Sequence, residues 1–90
     1  MSMDDQFREM NTFLAELTRF NEQLKESMVS LRSLHDNVSP LWQDEMRQTY
    51  DLVWEPLEQS IQQYLTAEGP RYVEFLSHKT RVLGRYLRGG

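Results

Sequence analysis

The first thirty-eight residues contain neither glycine nor proline, and this stretch constrains the fold more than any other feature of the sequence. Apolar residues recur in it in alternating steps of four and three, a heptad spacing typical of helices in bundles and coiled coils. We predict one long helix over residues 4–37, roughly 50 Å in length. A second apolar row makes the stripe wide enough for a bundle of three or four helices. The predicted seam is Met10, Leu14, Leu17, Asn21, Leu24, Met28, Leu31, His35 and Val38, and the second row is Phe13, Phe20 and Leu34.

A turn signal follows at residues 36–40, where Ser39 can cap a new helix and Pro40 suits its first position. We predict a second helix over residues 40–67, antiparallel to the first because the connection is short. Pro56 interrupts this pattern, and we expect a kink there, with a complete break as the alternative. The predicted seam is Met46, Tyr50, Val53, Leu57, Ser60 and Tyr64, with Trp42, Trp54, Ile61 and Leu65 beside it.

The residues Glu68-Gly69-Pro70 predict a second break, followed by a third helix over residues 70–88. Its predicted seam is Tyr72, Leu76, Lys79, Leu83 and Tyr86. Arg81, Arg85 and Arg88 share one face of it, which is interpreted as a solvated strip that complements the helix dipole. The alternative is a docking strip for phosphate, anionic lipid or an acidic protein. The predicted fold is all-α: an antiparallel hairpin plus a third, basic helix.

Composition predicts one helical domain over residues 1–90 and excludes several classes of site. The chain has no cysteine, so disulfides and thiolate metal sites are excluded. Its net charge of -4 divides into -8 over residues 1–68 and +4 over residues 69–90. The acidic body argues against general nucleic-acid binding, whereas the basic end can dock on an acidic partner, a membrane surface or the body itself. The beginning of the chain has no signal-peptide pattern, so we expect a cytoplasmic protein, with export by a signal-independent route left open.

No catalytic arrangement is recognised, and we expect neither an enzyme nor a cofactor. Asp44 and Glu45 are adjacent, so they diverge around a helix instead of converging on a substrate. The chain contains no Glu-x-x-His pair of the kind that holds metals in bundles, so we expect no metal site. Asn21 and His35 are interpreted as polar seam residues that fix the register of the helices.

The helices are long and few, so we predict that they need a partner. A lone hairpin would leave apolar surface exposed, and such patches usually mark an interface. We expect a dimer in which two hairpins form an antiparallel bundle. Trp42 and Trp54 are interpreted as core and interface anchors of this assembly. The residues expected to contribute the exposed surface are Phe7, Phe13, Phe20, Trp42, Tyr50 and Trp54.

With Trp42-Gln43-Asp44 at the turn and Tyr50 eight residues after Trp42, the chain resembles the bacterial WXG-motif hairpins exported by type VII (Esx) secretion systems. The resemblance covers residues 4–68. Asp44 stands where the glycine of the motif belongs, and a third basic helix is not part of the standard hairpin. Tyr64-Leu65-Thr66-Ala67-Glu68 fits the family's Tyr-x-x-x-Asp/Glu export signal near the end of the second helix. The resemblance implies a dimeric four-helix assembly acting as a secreted effector, a chaperone-like partner or an adaptor.

Two other functions remain open at this point. The same apolar surface would serve a cytoplasmic adaptor or a regulatory subunit of a larger complex. The ending Leu87-Arg88-Gly89-Gly90 is similar to the tails of ubiquitin-like modifiers, which are joined to target amines through Gly-Gly. The alternative interpretation of Gly89 and Gly90 is a helix cap or the boundary of the sequence.

Overall fold

The computed structural model describes residues 2–89, and all of the regular structure in that range is helical. Helix α1 spans Met3–Val38, α2 spans Asp44–Gln63 and α3 spans Gly69–Leu87. A 3₁₀ turn at Ser39–Leu41 follows α1, and a π-helical turn at Tyr64–Glu68 joins α2 to α3. The prediction of an all-α helical hairpin is therefore confirmed.

The two arms of the hairpin run antiparallel along their whole length. His35 stacks on Trp54 near the turn, with ring centroids 4.4 Å apart. Further along, the Asn21 side chain approaches Gly69, and near the open end the ring of Phe7 lies against Gly84. The Cα atoms extend 66 × 20 × 16 Å, so the molecule is one layer of helices thick.

The predicted break at residues 68–70 is wrong, because the second arm continues without interruption from α2 into α3. The N–H of Gly69 donates to the carbonyl of Tyr64, a hydrogen bond that spans five residues and widens the helix by one residue per turn. Pro70 follows this wide turn within the continuous helix, and because proline has no N–H, the carbonyl that residue 70 would otherwise bond receives no hydrogen bond from it. The third helix therefore exists as a segment, but it extends the second arm and packs beside α1.

The start of the second helix also differs from the prediction. Pro40 lies in the 3₁₀ turn, and α2 begins at Asp44 after the extended residues Trp42 and Gln43. The extended backbone at Trp42 directs its ring back onto Tyr50, with the centroids 4.1 Å apart and the rings nearly perpendicular. Ser39 does not cap α2, because its own backbone is helical and Gln43, with an extended backbone, has the N-cap position.

Pro56 lies inside α2 without ending it, so the alternative of a break is wrong. A proline at this position removes the hydrogen bond to the carbonyl four residues earlier, which belongs to Leu52. Leu52 and Pro56 are both exposed, so water can satisfy the freed carbonyl. The loss of the backbone bond is tolerated because it falls on the solvent side of the helix.

The contact between the arms follows the predicted seam of α1 through Met28 and again at His35, which stacks on Trp54. Beyond Met28, Arg32 and Ser39 take the other inner positions, and Leu31 and Val38 are exposed. In the second arm the predicted seam is largely wrong, since Met46, Val53 and Leu57 are exposed, as are Tyr72 and Tyr86. The observed inner row of the second arm is Tyr50, Trp54, Glu58, Ile61, Tyr64, Leu65, Gly69, Val73, Leu76, Thr80, Leu83, Gly84 and Leu87.

The core of a single hairpin is small. Among residues 2–89, Met28 and Trp54 are the only large apolar side chains that are almost fully buried, with 3% and 7% of their surface exposed. A single layer of two helices cannot enclose side chains on both sides, and stable domains usually have at least two layers. The packing of one chain therefore leaves most of its apolar side chains in contact with water.

Candidate functional site

The candidate site is an apolar face that runs the length of the hairpin. Each of its residues is exposed. Nearly all of them come directly before a residue that faces the other arm of the hairpin, as Phe13 comes before Leu14 in α1 and Phe75 before Leu76 in α3. We define the apolar face as Phe13, Phe20, Leu31, Leu34 and Val38 of α1, Met46, Val53 and Leu57 of α2, and Tyr72, Phe75, Val82 and Tyr86 of α3.

These residues lie on one side of the hairpin. A step of one residue rotates a helical position by about 100°, so each residue of the face lies about a quarter-turn from the inner row. Because the two arms run antiparallel, rotation in the same sense along each chain leads to the same side of the layer. The opposite side is polar, with Val29 and Leu52 as its isolated exposed apolar residues. The hairpin is thus amphipathic as a whole layer.

Phe13 and Phe20, predicted to remain exposed on a lone hairpin, are exposed, with 59% and 52% of their surface accessible. The other aromatic residues in that prediction are more enclosed: Trp54 is buried, and Phe7, Trp42 and Tyr50 are half-buried. The sequence prediction missed Tyr72, Phe75, Val82 and Tyr86 as surface residues, because it placed the seam of the third helix on or beside them. The signal for the true inner row is its small residues, Gly69, Thr80 and Gly84, which allow helices to approach closely.

An aromatic cluster closes the turn end of the hairpin. The imidazole of His35 stacks on Trp54 and also on Tyr50, with the second pair of centroids 5.3 Å apart. Trp42 covers Tyr50 from the turn, and Nε2 of His35 is buried without a hydrogen-bond partner among the described residues. Trp54 and His35 therefore pack against each other within one chain. Asp44 lies outside this cluster, exposed in the first turn of α2.

A polar contact between the two arms crosses the middle of the hairpin at the π turn. The hydroxyl of Tyr64 donates to Oδ1 of Asn21 over 2.7 Å, and Gly69 packs against the Asn21 side chain. Asn21 thus has the interhelical position predicted for a register-fixing residue. Glu68 is exposed. The Tyr64–Glu68 segment directly follows α2, whose last residue is Gln63, and it lies in the middle of the second arm.

The basic strip lies on the polar side of α3. His78, Arg81, Arg85 and Arg88 line one depression of about 280 Å³. The ion pairs between the described residues do not involve these arginines; the one that joins the two arms connects Arg32 to Glu58 over 3.9 Å. Within residues 2–89, the acidic body therefore does not pair with the strip, which faces away from the apolar face.

Gly89 ends α3 in the way a capping glycine does. Its φ is 76°, in the left-handed region that favours glycine, and its N–H donates to the carbonyl of Tyr86 over 3.1 Å. This geometry gives Gly89 a structural role in terminating the helix. The predicted role of Gly90 in conjugation falls on a residue outside the described range.

No group of three His, Asp or Glu side chains within residues 2–89 is arranged to hold a metal ion. None of the helices described in that range is long and apolar enough to span a membrane. What the described surface offers is an extended apolar side and a short basic strip, both suited to binding another macromolecule. No model of a known protein family matches the chain, and comparisons with curated proteins and with solved structures gave no match either.

Proposed function

We propose that this protein is a non-enzymatic helical interaction module that functions by burying its apolar face against another helical surface. The observation that supports this proposal is the apolar face, whose twelve large apolar side chains lie on one side of a single layer of helices. Exposed apolar patches of this extent mark protein interfaces. The partner is a second copy of the chain or another helical protein, and no chemistry on a substrate is part of the proposal.

The accessible surface supports the need for a partner. The chain exposes 7161 Å², whereas a compact monomer of 10.8 kDa is expected to expose about 5,500 Å². The excess of about 1,600 Å² is the surface that a second layer of helices would cover. It is about twice what each partner buries in a protein interface of standard size, which is about 800 Å².

Within this proposal, the WXG-like hairpins remain the more specific model. The antiparallel hairpin with Trp42 at its turn supports it, whereas Asp44 in the motif and the long second arm depart from that family. On this model the protein serves secretion as an exported effector, chaperone-like partner or adaptor. Its appearance in the culture medium of the native host would favour this form, and co-purification with a cytoplasmic complex would favour an adaptor or regulatory subunit.

Photo-crosslinking in the native host tests the proposal. A photoreactive phenylalanine analogue is placed at Phe20 or Phe75 on the apolar face and, as the matched control, at Gln59 on the polar side. We expect protein adducts, to the chain itself or to another protein, at the two face positions and none at Gln59. Adducts in equal yield at all three positions, or at none, would show that the face is not an interface.

A further inference from the structure

We propose that the basic strip of α3 is a binding site for a soluble ligand that carries several phosphate groups in succession. The site is the depression lined by His78, Arg81, Arg85 and Arg88. It lies on the polar side of the hairpin, so it is a second site, beyond the function proposed for the apolar face. Three features support it: the ion pairing of the arginines, the donors that line the depression and the polar surroundings of the strip.

The arginines of the strip differ from those of α1 and α2 in their ion pairs. Each arginine of α1 and α2 lies 3.9 Å or less from a carboxylate oxygen, in the pairs Arg8–Asp5, Arg19–Glu16, Arg32–Glu58 and Arg47–Asp51. Within residues 2–89, none of the arginines after residue 69 forms such a pair. Residues 69–88 contain one acidic residue, Glu74, against five Lys and Arg. The counter-charge of the strip is therefore supplied from outside the chain.

The helix dipole accounts for only part of the strip. The dipole favours a cation in the last turn of a helix, and its effect falls off beyond that turn. Because α3 ends at Leu87, Arg85 and Arg88 lie within this range, whereas His78 and Arg81 lie before it. Like charges three or four residues apart on one face of a helix also destabilise it. The strip is therefore unfavourable in the free chain, and a bound polyanion relieves the repulsion.

The side chains that line the depression are suited to phosphate. A guanidinium group presents a planar fork of N–H donors that binds phosphate oxygens through two parallel hydrogen bonds. Three such groups and the ring N–H of His78 surround one depression of about 280 Å³. His78 and Arg88 are ten residues apart, about 15 Å along the helix. A single phosphate group cannot reach all four side chains, whereas a succession of phosphates can.

The surroundings of the strip favour a soluble ligand over a protein or a membrane. Protein interfaces have an apolar core, but the isolated exposed apolar residues of the polar side, Val29 and Leu52, lie on α1 and α2. A flat membrane would extend along the polar side to the turn end, where Asp51 and Glu55 share the face of Gln59 in steps of four. These carboxylates repel an anionic surface, whereas a soluble ligand contacts the strip alone.

Titration calorimetry at low salt and neutral pH tests the site, with sodium tripolyphosphate as the probe. Arg85→Gln removes the central guanidinium of the strip, and Arg81→Gln is a second variant of the same kind. Arg71→Gln is the matched control, because Arg71 is also exposed on α3 and also lacks an ion pair within residues 2–89, but it does not line the depression. All three substitutions change the net charge equally.

We expect tripolyphosphate to bind the wild type, and Arg85→Gln and Arg81→Gln each to raise its Kd about tenfold. Arg71→Gln should change the Kd less than about twofold, because at that distance only a screened charge is lost. Arg85→Lys keeps the charge but loses the planar fork, so its Kd should lie between those of the wild type and Arg85→Gln. The substituted residues are exposed, and circular dichroism checks that each variant keeps its helices.

Equal weakening by Arg85→Gln and Arg71→Gln, or no binding to the wild type, would overturn the site. Tighter binding to an oligoglutamate peptide than to tripolyphosphate would overturn the choice of phosphate. Co-sedimentation with phosphatidylcholine vesicles that contain phosphatidylinositol bisphosphate, without binding to tripolyphosphate, would replace the soluble ligand by a membrane. The photo-crosslinks at Phe20 and Phe75 decide the proposed function separately, because those residues lie on the opposite side of the hairpin.

Discussion

Two glycines on the inner row of α3 should respond to alanine in opposite directions. A Cβ built on Gly69 would lie 3.1 Å from Nδ2 of Asn21 and 3.1 Å from both the ring and the backbone carbonyl oxygen of Tyr64. A Cβ on Gly84 would lie 3.1 Å from the ring of Phe7. Both contacts are tighter than normal van der Waals distance, but they differ in what can move. The backbone of the π turn is fixed between two helices, whereas Phe7 is half-buried near the beginning of α1.

The magnitudes follow from this difference. Replacing glycine by alanine inside a helix gains about 1 kcal/mol at either position. At Gly84 a small rotation of Phe7 removes the close contact, so the variant should be more stable by about 0.5–1 kcal/mol. At Gly69 crowding costs about 1–3 kcal/mol. Displacement of Asn21 also weakens its hydrogen bond with Tyr64, which is worth about 1 kcal/mol. Gly69→Ala should therefore be less stable than the wild type by about 1–3 kcal/mol.

Urea unfolding followed by circular dichroism measures both variants against the wild type. All three proteins must be compared at one concentration, because association stabilises the folded state by mass action. In thermal unfolding, a change of 1 kcal/mol corresponds to about 4–8 °C for a chain of this size. Gly69→Ala equal to or more stable than Gly84→Ala would refute the reasoning that the π turn requires glycine at this position.

Two further substitutions test contacts inside the hairpin. Tyr64→Phe removes the hydroxyl that donates to Asn21 and leaves the amide oxygen without that partner, so we expect a loss of about 1–2 kcal/mol in urea unfolding; an unchanged midpoint would show that this bond contributes nothing. Trp54→Ala removes the most buried aromatic side chain and its stacking on His35, with an expected loss of about 3–5 kcal/mol. A loss below 1 kcal/mol in calorimetry would contradict the assignment of Trp54 to the core.

The bounds of the first helix could be predicted closely from the sequence, and the structure extends the prediction by one residue at each end. Its seam could be predicted through Met28 and again at His35, but between these two residues the contact row takes a second consecutive step of four, to Arg32 instead of Leu31. A strict seven-residue repeat drifts relative to a straight α-helix of 3.6 residues per turn, and this drift moves Leu31 out of the contact.

The second arm could not be assigned its inner row from periodicity, because it carries two apolar rows at neighbouring positions. Val82 and Leu83 are adjacent in the sequence, as are Tyr86 and Leu87, and both rows have helical spacing. Apolar character alone does not say which row meets α1 and which meets another chain. For the same reason, the sequence predicted that an apolar stripe would be exposed, but it identified only some of the residues in that stripe.

Gly69 and Pro70 were predicted to end a helix, but the helix continues through both residues at the point where it widens into the π turn. The prediction treated Gly-Pro as a stop, which is its usual meaning. In this chain the N–H of Gly69 bonds to the carbonyl five residues earlier, and Pro70 follows directly in the same continuous helix. A local signal was overruled by packing, because Gly69 is buried against α1 in the middle of the hairpin.

The π turn also affects how the length of the chain can vary. A π turn contains one residue more than the α-helical turn it replaces, so it accommodates a single insertion without rotating the helices on either side. Trp54 before it and Val73 after it both face α1. Loss of one residue from Tyr64–Glu68 would convert the turn to α-helix and leave both faces in place. Anywhere else in the second arm, the same deletion would rotate all residues beyond it by about 100° and move the inner row out of the contact.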